Sequence, residues 1–381
     1  MDEATLRRQV RPVIAAHPRA GGEARSGPAL LGAGDDDEAA VEAARRYLKA
    51  LAAIGWSVPG WPEAFGGRPP AERRVFMDEA RRLRPVDLYP FGPAIHLVAP
   101  ALMEFGSQDQ QARWLPQVRA GDAIWCQLFS EPGAGSDLAS ASTRAVRSGD
   151  GWRVTGQKIW SSRAAYADWG LLLARTERSE PRHAGLTMFV VNMRAPGVAA
   201  RRIQQMNGDR HFCQVFLDDV FVPDEDRIGE VGAGWKIATA VLRWERAGDP
   251  LSTNLSPRAV FNDLVELARG QGRLSDPLVR DRLMQLYIAS RAAALAARAA
   301  ERSPGGFPTS GGSGTKLRIT WVMKDMGAMA MDLLGPEALL AGDDHPWSRY
   351  VLTIPSLSIR GGTDEIQRNI IAERVLGLPR E

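Results

Sequence analysis

The sequence has few of the residue types that build disulfides and metal centres. Cysteine occurs only at Cys126 and Cys213 among 381 residues, and the two do not have the spacing of a metal-ligand pair. The histidines are scattered along the chain, at His17, His96, His183, His211 and His345. These features argue against a structural disulfide and against a metal centre.

Long apolar runs are also missing, and none approaches the roughly 18 residues that a transmembrane helix requires. The N-terminal segment MDEATLRRQV lacks the apolar centre of a secretory signal peptide. The formal net charge is only +3, and no segment concentrates the excess of positive residues. We therefore expect a cytoplasmic protein that binds neither membranes nor nucleic acid.

Apolar periodicity divides the chain into helical, strand-rich and again helical parts. Residues 1–122 are predicted to form an all-helical domain, 123–231 a small β-barrel, and 232–381 a C-terminal helical bundle. This length suffices for two or three domains, each with its own core. The predicted class is therefore a multidomain α+β protein.

The predicted helices of the first part lie at 4–17, 37–54, 70–84, 91–105 and 107–119. The second has one apolar face, formed by Val41, Ala44, Tyr47, Leu48 and Leu51. Gly55 is expected to end it, and Ser107 to cap the last helix. Residues 18–36 are predicted to be a loop because they are rich in glycine, alanine and proline.

Strands are predicted in the middle part at 123–129, 141–147, 152–160, 167–175, 185–193 and 213–222, with a hairpin turn at 148–151. Helices are predicted in the last part at 234–247, 257–270, 276–301, 315–334 and 363–376. Residues 303–314 are predicted to be a flexible loop. Thr363 is expected to cap the final helix, whose apolar face is assigned to Ile366, Ile370 and Ile371.

The stretch from Trp125 to Asp137, WCQLFSEPGAGSD, is the strongest candidate for a functional site. An apolar strand runs into a loop in which Gly133 and Gly135 remove side chains, so that backbone N–H groups can approach a bulky anion. Such a strand and loop suit a flat ring on the strand with phosphates over the loop. Glycine-rich turns are common, however, so the spacing alone favours a plain turn over a cofactor site.

Three segments, in this order, resemble the signatures of acyl-CoA dehydrogenases: FSEPGAGSD at 129–137, GQKIWSS at 156–162 and GGTDEIQRNIIAERVLGLP at 361–379. With weaker similarity between them, the resemblance extends from about Trp56 onward. It implies a helical N-terminal domain, a β-barrel and a C-terminal four-helix bundle. It also implies FAD as cofactor, an acyl-CoA as substrate, and an electron-transfer flavoprotein or similar acceptor.

Relatives remove the α-proton of the acyl-CoA with a carboxylate while the β-carbon gives a hydride to flavin N5, yielding the trans-2-enoyl-CoA. Many carry this base in a Y-E-G-T segment, but the corresponding residue here is Gly361. Isovaleryl-CoA dehydrogenase and its subgroup carry it in L-x-x-E-R, which Leu242, Glu245 and Arg246 match. The resemblance therefore assigns the base to Glu245, and Gly361 becomes a candidate backbone donor to the thioester oxygen. By helix pattern alone, Glu245 would more often be a surface residue.

The resemblance assigns flavin contacts to Gln127, Phe129, Ser130, Gly135, Ser136, Trp160, Ser162, Gly362, Thr363 and Glu365. Ser136 is also expected to face the acyl-CoA, and Arg246 to help shape the CoA channel. Arg243 stands where many relatives have aspartate, which leaves the contacts to adenine and pantetheine open. On its own, a strand tryptophan such as Trp160 would more often belong to the core.

Two segments that cover the FAD phosphates of a neighbouring subunit in homotetrameric relatives are altered here. Residues 267–277 lack the Phe-Gly of R-x-x-F-G, and Met331 and Leu334 replace residues of Q-x-x-G-G. In this respect the chain resembles actinobacterial enzymes that form α2β2 heterotetramers and act on steroid side-chain CoA thioesters. A homotetramer with a variant phosphate clamp and an α2β2 heterotetramer with a related chain both remain open.

Two other functions are compatible with the same fold. The chain would be a non-catalytic partner subunit if its flavin loop or base were unused, or a flavin monooxygenase or oxidase if the flavin were open to oxygen. The intact flavin loop and the glutamate at position 245 favour the dehydrogenase.

Overall fold

The computed structural model describes residues 2–18, 38–83, 85–247, 257–301, 311–340 and 345–379. These form two compact units. The first contains the described residues up to 205 and those from 209 to 247, and the second contains 206–208 and the described residues from 257 onward. This is a division by compactness, and the three predicted domain boundaries stay a prediction.

Helices at the start of the first unit follow the predicted periodicity. They are α1 (Glu3–Ala15), α2 (Glu38–Ala53), α3 (Pro70–Leu83), α4 (Ala99–Phe105) and α5 (Gln108–Ala120). The five predicted apolar residues of α2 are all buried, and Gly55 follows the helix with φ +74°. Ser107 caps α5, accepting from the Gln110 N–H while the Gln110 side chain accepts from the Ser107 N–H. The predicted loop at 18–36 lies outside the described residues except for Pro18.

The predicted helix at 91–105 is present from residue 92 onward, but three different helical geometries share this region. A 3₁₀ turn at Tyr89–Phe91 is followed by a π-helix at Ala94–Val98, which continues into α4. Proline residues lie near both junctions, at Pro90, Pro93 and Pro100. Proline lacks a backbone N–H, and its ring disturbs the carbonyl one turn earlier, so an uninterrupted α-helix is disfavoured here.

Eight strands of the first unit form one mixed sheet. They are β1 (Trp125–Leu128), β2 (Arg144–Ser148), β3 (Gly151–Ser162), β4 (Trp169–Arg175), β5 (Leu186–Asn192), β6 (Val198–Ile203), β7 (Phe212–Pro223) and β8 (Arg227–Ile228). The strand order is β6-β7-β3-β2-β4-β5-β8, and β1 pairs in parallel with β4. The six predicted strands are present, and β6 and β8 were not predicted.

The hairpin between β2 and β3 has the predicted turn. Ser148 pairs with Gly151, and Gly149 has φ +60°, which suits a tight two-residue connection. Helix α6 (Gly234–Ala247) follows the sheet and packs on β5, on the π-helix and on α4. The strand layer and this helix therefore share one core with the N-terminal helices.

The second unit consists mainly of helices, namely α7 (Pro257–Gly270), α8 (Pro277–Glu301), α9 (Gly311–Leu334), α10 (Glu337–Leu340), α11 (Pro346–Thr353) and α12 (Asp364–Arg374). Helices α10 and α11 and the 3₁₀ turn at Ile354–Ser358 were not predicted. The predicted loop at 303–314 is wrong for 311–314, which belong to α9, and its residues 303–310 lie outside the described ranges. Among the described residues, no helix combines the length and apolarity needed to cross a membrane.

The apolar face assigned to α12 is also wrong. Ile366, Ile370 and Ile371 are only half-buried, and the buried side chains are those of Asp364 and Gln367. Asp364 accepts a hydrogen bond from Lys316 Nζ at 2.8 Å. This helix is therefore anchored by polar contacts at its N-terminus, where Thr363 is the cap as predicted.

Candidate active site

The glycine-rich loop after β1 presents unused backbone donors to its surroundings. Glu131 and Ala134 exchange two backbone hydrogen bonds, of 3.0 and 3.1 Å, and close a tight turn. Gly133 and Gly135 do not have positive φ, and a Cβ added to either would meet nothing within 4 Å. The turn itself therefore does not require glycine here. The missing side chains instead leave room for a bulky group outside the chain.

Trp160 lies on the neighbouring strand in an unusual conformation. Between the pairs Lys158–Val215 and Ser161–Cys213, β3 has one residue more than β7, which is a β-bulge. The extra residue reverses the alternation, and Trp160 has φ +60° with 54% of its surface exposed. Positive φ is strained for a bulky residue and costs of order 1–3 kcal/mol. Strained backbone of this kind clusters at ligand-binding and active sites, which makes the exposed ring of Trp160 a candidate ligand contact.

The loop and the bulge are joined by the backbone. The Ile159 N–H donates to the Ser130 carbonyl at 2.9 Å, so the residue before Trp160 is fixed beside the start of the loop. Gly156 allows β3 to pack closely against Thr143, which precedes β2, because a Cβ at position 156 would come within 2.5 Å of Thr143 Oγ1. The loop at 130–136 and the exposed indole of Trp160 thus belong to one surface of the first unit, which we call the platform.

The seven flavin residues predicted in the first unit fall on this platform, but not all face outward. Gly135, Ser136 and Trp160 are exposed, and Gln127, Ser130 and Ser162 are half-buried. Phe129 is only 4% exposed and packs in the core, so its side chain supports the loop from beneath.

In the second unit, the predicted residues Gly361, Gly362, Thr363 and Glu365 lie at the start of α12. Gly361 and Gly362 have φ +65° and +90°, which explains why glycine occupies both positions. Gln367, which was not predicted as a site residue, donates from Nε2 to the Gly361 and Gly362 carbonyls at 3.1 and 3.2 Å. It therefore fixes two peptide planes of the turn. Glu365 is exposed.

Glu245 continues the buried stripe of α6. Val241 lies one turn before it and Ile237 two turns before it, and both are fully buried. Residues four apart share a helix face. Glu245 itself is half-buried. A carboxylate in line with core residues is not the surface residue that the helix pattern alone would suggest. The side chain of Arg246 lies outside the description.

Two charged residues of the motifs were missed as site residues. Lys158 and Glu131 form a buried ion pair directly beneath the loop. The signal was present in the sequence, since Lys158 is in phase with the core-facing Val154 of β3, and a core-facing lysine requires a partner. Among the described residues, no cluster of His, Cys, Asp and Glu has the makings of a metal site.

The residues of the first unit fit the flavin that the motifs imply, since open glycines with free space and a strained exposed tryptophan are both present. Family models match the chain in three consecutive segments: acyl-CoA dehydrogenase N-terminal domain at 32–122, middle domain at 126–220 and C-terminal domain at 232–376. The chain belongs to the acyl-CoA dehydrogenase family. It is therefore an enzyme, a flavin-dependent oxidoreductase, as predicted.

Individual acyl-CoA dehydrogenases support this assignment. The chain is 40% identical over 385 residues to acyl-CoA dehydrogenase IpdE1 of Mycobacterium tuberculosis, covering 100% of this chain and 99% of that protein. Among solved structures, the Tcur3481-Tcur3483 steroid ACAD has a TM-score of 0.81 at 29% identity and full coverage of both chains. The ChsE4-ChsE5 complex from Mycobacterium tuberculosis has a TM-score of 0.78 at 31% identity, covering 100% of this chain and 98% of that one.

Proposed function

We propose that this acyl-CoA dehydrogenase binds FAD and forms the trans-2-enoyl-CoA, with Glu245 removing the α-proton. Bound FAD supplies the hydride acceptor. The buried stripe that leads from Ile237 and Val241 to Glu245 carries the proposal, because it places a half-buried carboxylate in line with core residues. A base that acts on a weak carbon acid must be held out of bulk water.

The end of β1 and the first two signature segments supply the part of the first unit that we propose for the cofactor. Gly135 and Ser136 offer backbone N–H groups to the phosphates, and Trp160 offers its exposed ring to the isoalloxazine. Gln127, Phe129, Ser130 and Ser162 complete this part. Gly362, Thr363 and Glu365 are proposed for the remaining flavin contacts, and Ser136 and Arg246 for contacts with the acyl-CoA.

The Gly361 N–H is the proposed donor to the thioester oxygen. At this position other relatives carry the base, and here a glycine with φ +65° leaves only backbone. Removing one donor of this kind typically costs 10²–10³ in rate, so such a contact needs a fixed peptide. Gln367 gives that rigidity to the following two peptides of the turn.

We further propose that the substrate is the CoA thioester of a steroid-derived acid and that a second, related chain completes the enzyme as an α2β2 heterotetramer. The solved relatives named above are a steroid ACAD and a complex of two proteins. In this chain, Leu334 is 7% exposed and Met331 packs against the core of the second unit. The two residues that stand at phosphate-clamp positions therefore pack in the core of their own chain. A homotetramer is the alternative.

Exposed apolar residues on α8 and α9 favour the proposal that a second chain binds this one. The outer side of α8 exposes large apolar residues at helical spacing, namely Met284, Ile288 and Leu295. Trp321 on α9 is 54% exposed. Apolar surface of this extent on a helix is typical of a face covered by another chain. An electron-transfer flavoprotein is the proposed acceptor, and a cytoplasmic location stays a prediction.

Substrate-dependent bleaching of the flavin tests this function. We expect the full chain, together with its partner, to show loss of the oxidised flavin band on addition of a steroid side-chain acyl-CoA, and turnover with a dye acceptor. The matching free acid, which lacks the thioester, is the control and is expected to cause no bleaching. Bleaching by neither steroid nor simple acyl-CoA thioesters would contradict the dehydrogenase function.

Expression of the chain alone tests the heteromer. We expect bound FAD well below one per chain when the chain is purified alone, and close to one per chain after co-expression with the related chain, because the phosphate clamp would come from that chain. Flavin absorbance after denaturation and the mass of the assembly measure both quantities. Full, stable FAD occupancy in a homotetramer would exclude the α2β2 arrangement.

A further inference from the structure

Lys158 is a fully buried lysine on β3, with a side-chain exposure of 0%. Its Nζ donates to the Phe129 carbonyl at 2.9 Å and to Glu131 Oε1 at 2.8 Å. A buried ammonium group is costly unless it is paired and hydrogen-bonded. The lysine meets this requirement by binding two residues at the junction of β1 and the glycine-rich loop.

Glu131 connects this junction to the far end of the loop. Its Oε2 accepts from the Ser142 N–H and hydroxyl, both at 2.7 Å, and its Oε1 accepts from the Thr143 N–H at 2.8 Å. The connection between β1 and β2, which contains the loop, is therefore held near both its ends by the same carboxylate. A single ion pair joins the end of β1, the approach to β2 and the middle of β3.

Both groups carry their charges in this environment. Burial alone would raise the pKa of Glu131, but Lys158 and the hydrogen-bond donors outweigh it and hold that pKa well below its usual range. Burial lowers the pKa of Lys158, and the charge of Glu131 opposes the shift. An ionised pair gives the shorter and stronger hydrogen bonds that a fixed geometry needs.

The pair also adjoins the strained tryptophan. The bulge of β3 begins directly after Lys158, and the next residue, Ile159, donates to Ser130 of the loop. Trp160 follows with its positive φ. The lysine thus fixes the last regular residue of β3 before the chain turns the indole outward.

We infer that Lys158 and Glu131 act as positioning residues, which hold the loop at 130–136 and the indole of Trp160 in register for the flavin. This inference rests on the proposed function, because it takes the loop and Trp160 as the flavin surface. Neither side chain needs to touch the cofactor. Two apolar residues of similar volume would fill the same space, but only the charged pair satisfies the Phe129 carbonyl and the Ser142 and Thr143 amides together.

The double variant Lys158→Met/Glu131→Gln tests the inference without leaving an unpaired buried charge. A methionine cannot donate to the Phe129 carbonyl, and a glutamine has only one acceptor oxygen for the two amides. We expect the Kd for FAD of the full chain to rise at least about tenfold, and the visible circular dichroism of the bound flavin to change. Hydrogen exchange in the FAD-free full chain should become faster at 129–143 and 158–160.

Glu79→Gln is the matched control. Like Glu131, Glu79 is a buried and charge-paired carboxylate of the first unit, but it lies on α3 and its partners are arginines. This variant should alter exchange in α1 and α3 and leave the FAD affinity unchanged. If the double variant does not fold, Glu131→Asp keeps the charge that pairs with Lys158 but shortens the side chain, so that it cannot reach all its partners, and it is measured in the same way.

Wild-type FAD affinity together with wild-type exchange at 129–143 would overturn the inference. A wild-type chain that binds no FAD even with its partner would instead refute the proposed function. In that case the exchange of the FAD-free chain still shows whether the pair holds the loop, so the two failures are distinguishable.

Discussion

Glu245→Gln is expected to reduce turnover by about 10⁴-fold while FAD stays bound, the upper end of what a general base contributes. The amide is close in size to the carboxylate but cannot accept the α-proton. Stopped-flow measurement of flavin bleaching by the acyl-CoA reports this step directly. Flavin content and the Kd for FAD should remain those of the wild type, because the FAD contacts proposed for the first unit lie on β1, β3 and the glycine-rich loop.

A matched substitution separates this effect from a general disturbance of α6. Glu230 is an exposed glutamate shortly before the helix, and Glu230→Gln should retain wild-type rates. Both variants are compared with the wild type under the same conditions. A rate for Glu245→Gln within tenfold of the wild type would refute the assignment of the base.

The three signature segments carried enough information to predict the family, the enzyme class and the general fold. These motifs are local in sequence, and each combines residue types that a turn, a strand or a helix start requires. Thr363, for example, caps α12 as predicted because its neighbours Asp364 and Glu365 give a recognisable N-terminus. Glu245 was proposed as the base from its motif, and only the structure shows that it is half-buried in line with Ile237 and Val241.

The features missed from the sequence depend on contacts distant along the chain. Strand β6 has the sequence VAARRI and, among the described residues, pairs only with β7, so two arginines are tolerated on a strand at the end of the sheet order. Gln367 is buried because it binds the carbonyls of two glycines, which periodicity does not report. The bulge at Trp160 likewise arises from the pairing of β3 with β7.

Polar burial also explains why the apolar face of α12 was misassigned. The sequence offers Ile366, Ile370 and Ile371 at helical spacing, and pattern analysis favours them for the core. Asp364 and Gln367 are buried instead, because a lysine of α9 pairs with Asp364 and the carbonyls of the glycine turn accept from the Gln367 amide. A functional helix terminus can therefore replace apolar packing by a small polar network, which hydrophobicity alone does not detect.

Glu79→Gln is expected to lower the free energy of unfolding by about 3 kcal/mol, near the lower limit for breaking one side of a buried pair. Glu79 is completely buried on α3, and Arg7 and Arg11 of α1 both donate to it, as does Arg82. The arginines are half-exposed, so solvent partly compensates their loss. Differential scanning calorimetry should show a melting temperature lower by roughly 5–10 °C.

The stabilisation of the fold by the Glu79 carboxylate is expected to depend on pH. Hydrogen bonds from Arg11 and Arg7 outweigh burial and lower the pKa of Glu79 from 4.5 to about 2. Because the folded-state pKa is lower than the unfolded one, its stabilisation is complete above about pH 4.5 and is lost as the pH falls toward 2. The difference in melting temperature between the wild type and Glu79→Gln should therefore shrink over this range. Glu42→Gln, which removes an exposed partner of Arg45, should show almost no difference at any pH. A wild-type advantage that persists unchanged to pH 2 would show that Glu79 stabilises by its shape and not by its charge.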